Sequence, residues 1–237
     1  MKSFLLTAAV SALALGATAQ TSISIIPEAG VNLSNMRRTV NNEKFSSSTQ
    51  AGVRAGVNVA LGIGNNLSIQ PGVFFSQKGG HNSSDKVVSP ITPGIAGGTT
   101  NFETHINYIE VPVNAVYYFM DDQSGFFLNA GAYFAAAVSG NEKYSRSVAG
   151  VTTSKTYDYS IGGTDPKFDA MGYKISGDDI RRWDIGAQFG AGYQMRNGLM
   201  IRAQYLLGAT NITAHNSSDN ALRNGALNIG LGYKFGW

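Results

Sequence analysis

Apolar and polar residues alternate along most of this 237-residue chain. The pattern is clearest near the end, where Leu227, Ile229, Leu231, Tyr233, Phe235 and Trp237 share one parity and Asn228, Gly230, Gly232, Lys234 and Gly236 the other. A period of two belongs to a strand with two unlike faces; a helix would scatter these residues around its circumference. Seven earlier segments alternate in the same way, starting near Ile23, Val53, Leu67, Ile109, Phe126, Trp183 and Leu199. The pattern predicts eight antiparallel strands, each about as long as the ~9–11 residues with which a tilted strand crosses a bilayer, or slightly longer. The connections alternate as well. Gly64-Asn65-Asn66, Asp121–Gly125 and Arg196-Asn197-Gly198 are short, and Asn-Gly is a strong hairpin signal. Ser34–Thr49, Gly79–His105, Gly140–Ile180 and Gly208–Asn224 are long and polar.

Two all-β architectures fit this alternation: a soluble barrel with its apolar face inward, and a membrane barrel with its apolar face outward. Composition separates them. Charged residues make up 14% of the chain, against roughly 25% in a soluble domain. The polar face is rich in Gly, of which the chain has 29, and suits a narrow lumen better than a solvated exterior. Aromatic residues cluster near the ends of the apolar face. Phe75, Phe134 and Trp183 lie toward the long connections, and Phe119, Phe126, Tyr193, Phe235 and Trp237 toward the short turns, as interfacial girdles would. The prediction is an all-β, eight-stranded antiparallel transmembrane up-and-down β-barrel with long extracellular loops and short periplasmic turns. Lipid cannot satisfy an open sheet edge, so the first and last strands must pair. Pro27, Pro71 and Pro112 fall inside predicted strands, where local bulges or lost ladder bonds are expected.

The N-terminus adds a compartment. Lys2, the apolar run Phe4–Leu15 and the small-x-small site Ala17-Thr18-Ala19 have the form of a secretory signal peptide. The expected organisation is a cleaved leader over 1–19 and one barrel domain over 20–237, in the outer membrane of a Gram-negative bacterium. Cysteine is absent, which excludes a disulfide scaffold and a thiolate metal site. The net charge of +3 is spread along the chain rather than clustered, so nucleic acid is not an expected partner. The expected partners are outer-membrane lipid and an extracellular or membrane-protein partner. During biogenesis the barrel-assembly machinery is added, for which Tyr233, Phe235 and Trp237 offer an alternating, aromatic-ended last strand.

Three short motifs occur in order along the predicted strands: Phe74-Phe75-Ser76-Gln77-Lys78-Gly79, Tyr108-Ile109-Glu110-Val111-Pro112-Val113-Asn114, and Asp184-Ile185-Gly186 followed by Gly190-Ala191-Gly192-Tyr193. Together they resemble the PorT-like outer-membrane barrels of Bacteroidetes across essentially the whole mature chain. That family is functionally mixed, so the resemblance implies a fold rather than an activity.

The best candidate constellation is a set of inward charges: Glu28, Arg54, Lys78, Glu110, Asp184, Arg202 and Lys234. A crowded lumen filled by Gly, Asn, Gln and these charges should pair them, because an unpaired buried charge is costly. The result would be a plug, with an ion path or gate as the alternative. Tyr144, Tyr157, Tyr159 and Tyr173 make the third long connection a candidate recognition loop. His81, His105 and His215 lack the spacing of a metal site. His81 near Ser76 and Ser83, and His105 near Glu103, leave a lipid-modifying rim enzyme as the remote alternative. No cofactor is expected. The predicted role is that of a non-enzymatic structural or interaction barrel, for adhesion or as a complex partner; a small passive pore is the alternative.

Overall fold

The computed structural model describes residues 22–40, 43–84, 99–148, 150–159, 161–162, 180–213 and 220–236. The predicted leader, Tyr173, His215 and Trp237 lie outside the described residues. Eight long strands form a single antiparallel ring: β1 (Ile23–Val40), β2 (Gln50–Ile63), β3 (Leu67–Ser84), β4 (Thr99–Tyr118), β5 (Gly125–Val148), β6 (Trp183–Gln194), β7 (Leu199–Gly208) and β8 (Asn220–Tyr233). Each strand pairs with its sequence neighbours. The ring closes where β1 pairs β8, from Glu28 opposite Gly232 to Val40 opposite Asn220. Past a break at Lys234, Phe235 and Gly236 continue the pairing with Ile25 and Ser24.

The parity of each strand survives in three dimensions. On β2, Val53, Val57 and Val59 are exposed, while Arg54, Asn58 and Ala60 are buried. The exposed face carries Ile109, Val111 and Val113 on β4, Ile185 and Phe189 on β6, and Ile229 and Leu231 on β8. An outer wall of this kind is stable only against lipid. The rings expected to border it are exposed as well: Phe75, Phe119, Phe134, Trp183, Tyr193 and Phe235. Two ring pairs pack in the wall, Phe134 stacked on Trp183 and Phe126 edge-on against Tyr193, each at 5.0 Å between centroids.

Strand length departs from expectation. β4 has 20 residues and β5 has 24, roughly twice what a bilayer requires. Residues assigned to long loops are instead strand: β1 runs on to Val40, β3 to Ser84 and β5 to Val148. Short outer strands Glu43–Ser46 and Val151–Asp158 fold back onto β1 and β5. The sequence hides this because the extensions are mostly polar, with too few apolar side chains, such as Met36 on β1, to make an apolar period that can be detected. The barrel wall therefore projects beyond the lipid at its long-connection end.

The prolines do not produce the expected bulges. Residue pairs on either side of each proline keep one constant register, and the ladder is merely interrupted on one side: Pro27 toward β8, Pro71 toward β2 and Pro112 toward β3. Each N–H lost to a proline points to one neighbour only, so the opposite ladder continues. The register shift within the ring instead lies between β4 and β5 at Asn107/Tyr108, where Val138 is the extra residue.

Candidate functional site

The polar parity of all eight strands converges on the lumen. Six of the seven predicted charges form one chain of alternating sign. Arg202 Nε lies 3.7 Å from Glu28 Oε2, and Glu28 Oε1 lies 3.5 Å from Arg54 Nη1. Arg54 Nη2 reaches Glu110 Oε1 at 3.1 Å. Lys78 Nζ stands 2.9 Å from Glu110 Oε2 and 3.7 Å from Asp184 Oδ2. Six different strands contribute one residue each, and all six side chains are buried. Three cations and three anions cancel, which is how a narrow interior can hold them. Neutral polar groups extend the chain at both ends, an acceptor at Arg202 and donors at Asp184. Gln70 Oε1 accepts from Arg202 Nη2 at 2.7 Å. Asp184 Oδ2 accepts from Asn224 Nδ2 at 2.9 Å and from the Tyr133 hydroxyl at 3.3 Å.

Lys234 is the exception among the predicted charges. It is only half-buried, at the short-turn end, and donates to Gln123 Oε1 at 3.0 Å. Gln123, in the β4–β5 turn, also donates to the Gly64 carbonyl of the β2–β3 turn. Lys234 therefore helps tie the turns across the mouth instead of joining the ladder. Nearby, Arg196 and Asp122 pair at 3.3 Å between two turns. The Ser124 hydroxyl, donating to Asp122, holds that carboxyl below its ordinary range.

The lumen filling departs from the expectation of Gly, Asn, Gln and charges alone. Two apolar clusters sandwich the ladder. Ile26, Ala60, Val116, Tyr118, Phe127 and Met200 fill the short-turn end. Met36, Ile106, Tyr108, Tyr133, Ile180, Leu206 and Ile212 are among the residues that fill the other. The rings also cover the cations: the Arg54 guanidinium lies 3.7 Å from the centre of Phe74, and Lys78 Nζ lies 4.1 Å from that of Tyr133. Inward glycines make room for them. A Cβ on Gly186 would come within 2.6 Å of Tyr133, and one on Gly192 would collide with Phe127. The signal for these inward rings was present as apolar doublets: Ile25-Ile26, Phe74-Phe75, Phe126-Phe127, Tyr133-Phe134 and Leu206-Leu207. In a two-faced strand one member of each must point inward.

The other candidates are dispersed. Tyr144 packs edge-on against Phe102, and Tyr157 lies under Lys155 on the projecting hairpin. Tyr159 instead packs against the upper apolar cluster, with its hydroxyl 3.4 Å from Thr104 Oγ1. His81 Nδ1 is 4.0 Å from Glu103, and His105 Nε2 is 3.3 Å from Gln50 Nε2. Ser76 faces the lumen, accepting from Asn32, so it is not on the strand face that carries His81. Among the described residues no cluster of three metal-ligating side chains forms.

The profile of a family described as outer membrane protein beta-barrel domain matches residues 18–214. Among curated proteins none matches the sequence. Solved structures similar to this one include Ail, the attachment invasion locus protein of Yersinia pestis, at 13% identity and a TM-score of 0.42, covering 90% of this chain and 99% of that one. The outer membrane protein OprG from Pseudomonas aeruginosa shares 10% identity at a TM-score of 0.40, covering 90% and 96%. The outer membrane protease OmpT from Escherichia coli shares 10% identity at 0.35, covering 93% and 100%.

Proposed function

The chain belongs to the outer membrane protein β-barrel domain family, a component of the Gram-negative outer membrane, and we propose that it is a sealed, non-catalytic barrel that acts through contacts made by its projecting wall. The observation that carries this reading is the closed lumen: a neutral ladder of six charges with an apolar cluster above and another below. An ion crossing such a lumen would have to break pairs in the ladder and shed its water in both clusters, each costing several kcal/mol. The chemistry of this protein therefore resides outside the barrel. The long-connection end faces the exterior, and the short turns face the periplasm with both termini. Its projecting strands and the hairpin carrying Tyr144 and Tyr157 supply the surface for an extracellular or neighbouring membrane-protein partner. Within the family, the resemblance of the motifs Phe74–Gly79 and Tyr108–Asn114 to those of the PorT-like barrels of Bacteroidetes supports our reading of the chain as one of that group.

Single-channel recording in planar bilayers tests the sealed lumen. The wild-type barrel is expected to be electrically silent across a wide voltage range. Steady open conductance would replace this reading with the passive pore.

A further inference from the structure

The outer wall carries a second polar feature that the sealed lumen does not explain. Arg37 on β1 stands directly opposite Arg223 on β8. Both have the outward parity of Leu33 and Leu227, two pleats closer to the bilayer centre. Like charges facing each other across a ladder destabilise it. Among the described residues neither arginine has a carboxylate within ion-pair distance. Each is anchored by one backbone carbonyl: Arg37 Nη2 donates to Asn224 at 3.3 Å and Arg223 Nε to Ala209 at 3.1 Å. The remaining guanidinium donors are left over. Arg37 Nε is shut off from solvent and has no hydrogen-bond partner.

One pleat below the pair, Gly225 stands opposite Asn35. Gly225 has no side chain, and a Cβ there would meet Asn35 Oδ1 at 2.7 Å, the Tyr205 hydroxyl at 3.3 Å and Arg37 Nε at 3.6 Å. A hydroxyl, an amide and the Arg37 guanidinium thus close over the buried backbone of Gly225. The height of the pair is informative. Four residues separate Arg37 from Leu33, which at a rise of ~3.3 Å and a tilt of ~40° is about 10 Å along the bilayer normal. No exposed aliphatic side chain stands between Leu33 or Leu227 and the arginines, so the apolar band ends below them and the pair is at the height of the headgroups. Directly beneath run Leu33, Val31, Leu227 and Ile229, all exposed. The Ala209 carbonyl that holds Arg223 belongs to a segment bonded to Ile185, two residues from the girdle ring Trp183.

We propose that this arginine pair binds the phosphate of an outer-leaflet lipid, with Arg37 and Arg223 on the headgroup and the apolar track below along its acyl chains. A shared anion turns the opposed arginines from a repulsion into a clamp, through the guanidinium nitrogens that the two backbone carbonyls do not use. The site is independent of the sealed lumen and of any partner of the projecting hairpin.

The test uses the full barrel in detergent micelles doped with lipid A or with its dephosphorylated form, and measures retained lipid by native mass spectrometry. Wild type is expected to retain the phosphorylated form roughly tenfold better, as charge-assisted contacts to phosphate imply. R37Q/R223Q should lose that preference, whereas R196Q, at the short-turn end, should keep it. R37K/R223K, which keeps charge but not the planar fork, should fall between. If the double glutamine variant fails the heat-modifiability test for folding, R223Q alone, at an exposed position, carries the same comparison. Equal retention of the two lipids by wild type, or undiminished preference in a folded arginine-to-glutamine variant, overturns the proposal. Displacement of lipid A by millimolar inorganic phosphate identifies a site for soluble anions and overturns the lipid assignment.

Discussion

Glu110 is the residue on which the luminal ladder turns, and Glu110→Ala is the sharpest test of it. The carboxylate is fully buried and touches two cations, Arg54 at 3.1 Å and Lys78 at 2.9 Å. At an effective dielectric constant of about 20, each contact is an attraction of roughly 5–6 kcal/mol. Most of that is offset by the cost of removing the ions from water, which is several kcal/mol per group. Deleting the carboxylate keeps the desolvation of Arg54 and Lys78 and removes their shared partner. Arg54 is left with Glu28 at 3.5 Å and Lys78 with Asp184 at 3.7 Å. The expected loss is the ~3–5 kcal/mol of a broken buried pair. Glu110→Gln retains an acceptor for Arg54 and much of the shape, and should lose less. The double variant Glu110→Leu/Lys78→Met removes an anion and a cation together, keeps the ladder neutral, and should also lose less than Glu110→Ala. The assay is guanidinium unfolding of the barrel in lipid vesicles, followed by the mobility difference between folded and unfolded chain and by tryptophan fluorescence. A Glu110→Ala loss under about 1 kcal/mol would refute the reasoning, because it would mean that water, not the pairing, satisfies these charges.

Gly192→Val places branched atoms against the Phe127 ring and should destabilise the barrel by about 1–3 kcal/mol, as overpacking does. Phe127→Ala in the same chain should recover part of that loss; strictly additive losses in a double-mutant cycle would show that the two do not compete for space. In intact cells, trypsin is expected to cut at Lys143, Arg146 or Lys155 on the exposed hairpin while Arg196 in the short β6–β7 turn stays protected. Cleavage at Arg196 without cleavage in the hairpin would reverse the orientation of the barrel.

Much of the architecture was legible in the sequence, for a definite reason. In a membrane barrel both faces of every strand have a fixed environment, lipid on one side and lumen on the other, so a period of two is imposed on composition. That period marked eight strands and the outward set from Ile23 to Phe235, and placed Glu28, Arg54, Lys78, Glu110, Asp184 and Arg202 on one inner surface. The order of those six was not legible. Which cation meets which anion depends on register and barrel stagger, and these bring Arg202 of β7 beside Glu28 of β1. The inner apolar clusters were only half-visible, as doublets that periodicity alone cannot assign to a side.

The extensions past the membrane were invisible, because strands without a lipid-facing side lose the alternation that reveals them. The opposed arginines show the same division. Arg37 and Arg223 are 186 positions apart in the chain, and each alone reads as an ordinary loop cation. Closure of the ring by β1 and β8 made them neighbours. Alternation along one strand is a local property, fixed by whichever medium each residue faces, and the chain records it directly. Contacts around the ring are set by how eight strands close on one another, which only the folded barrel decides.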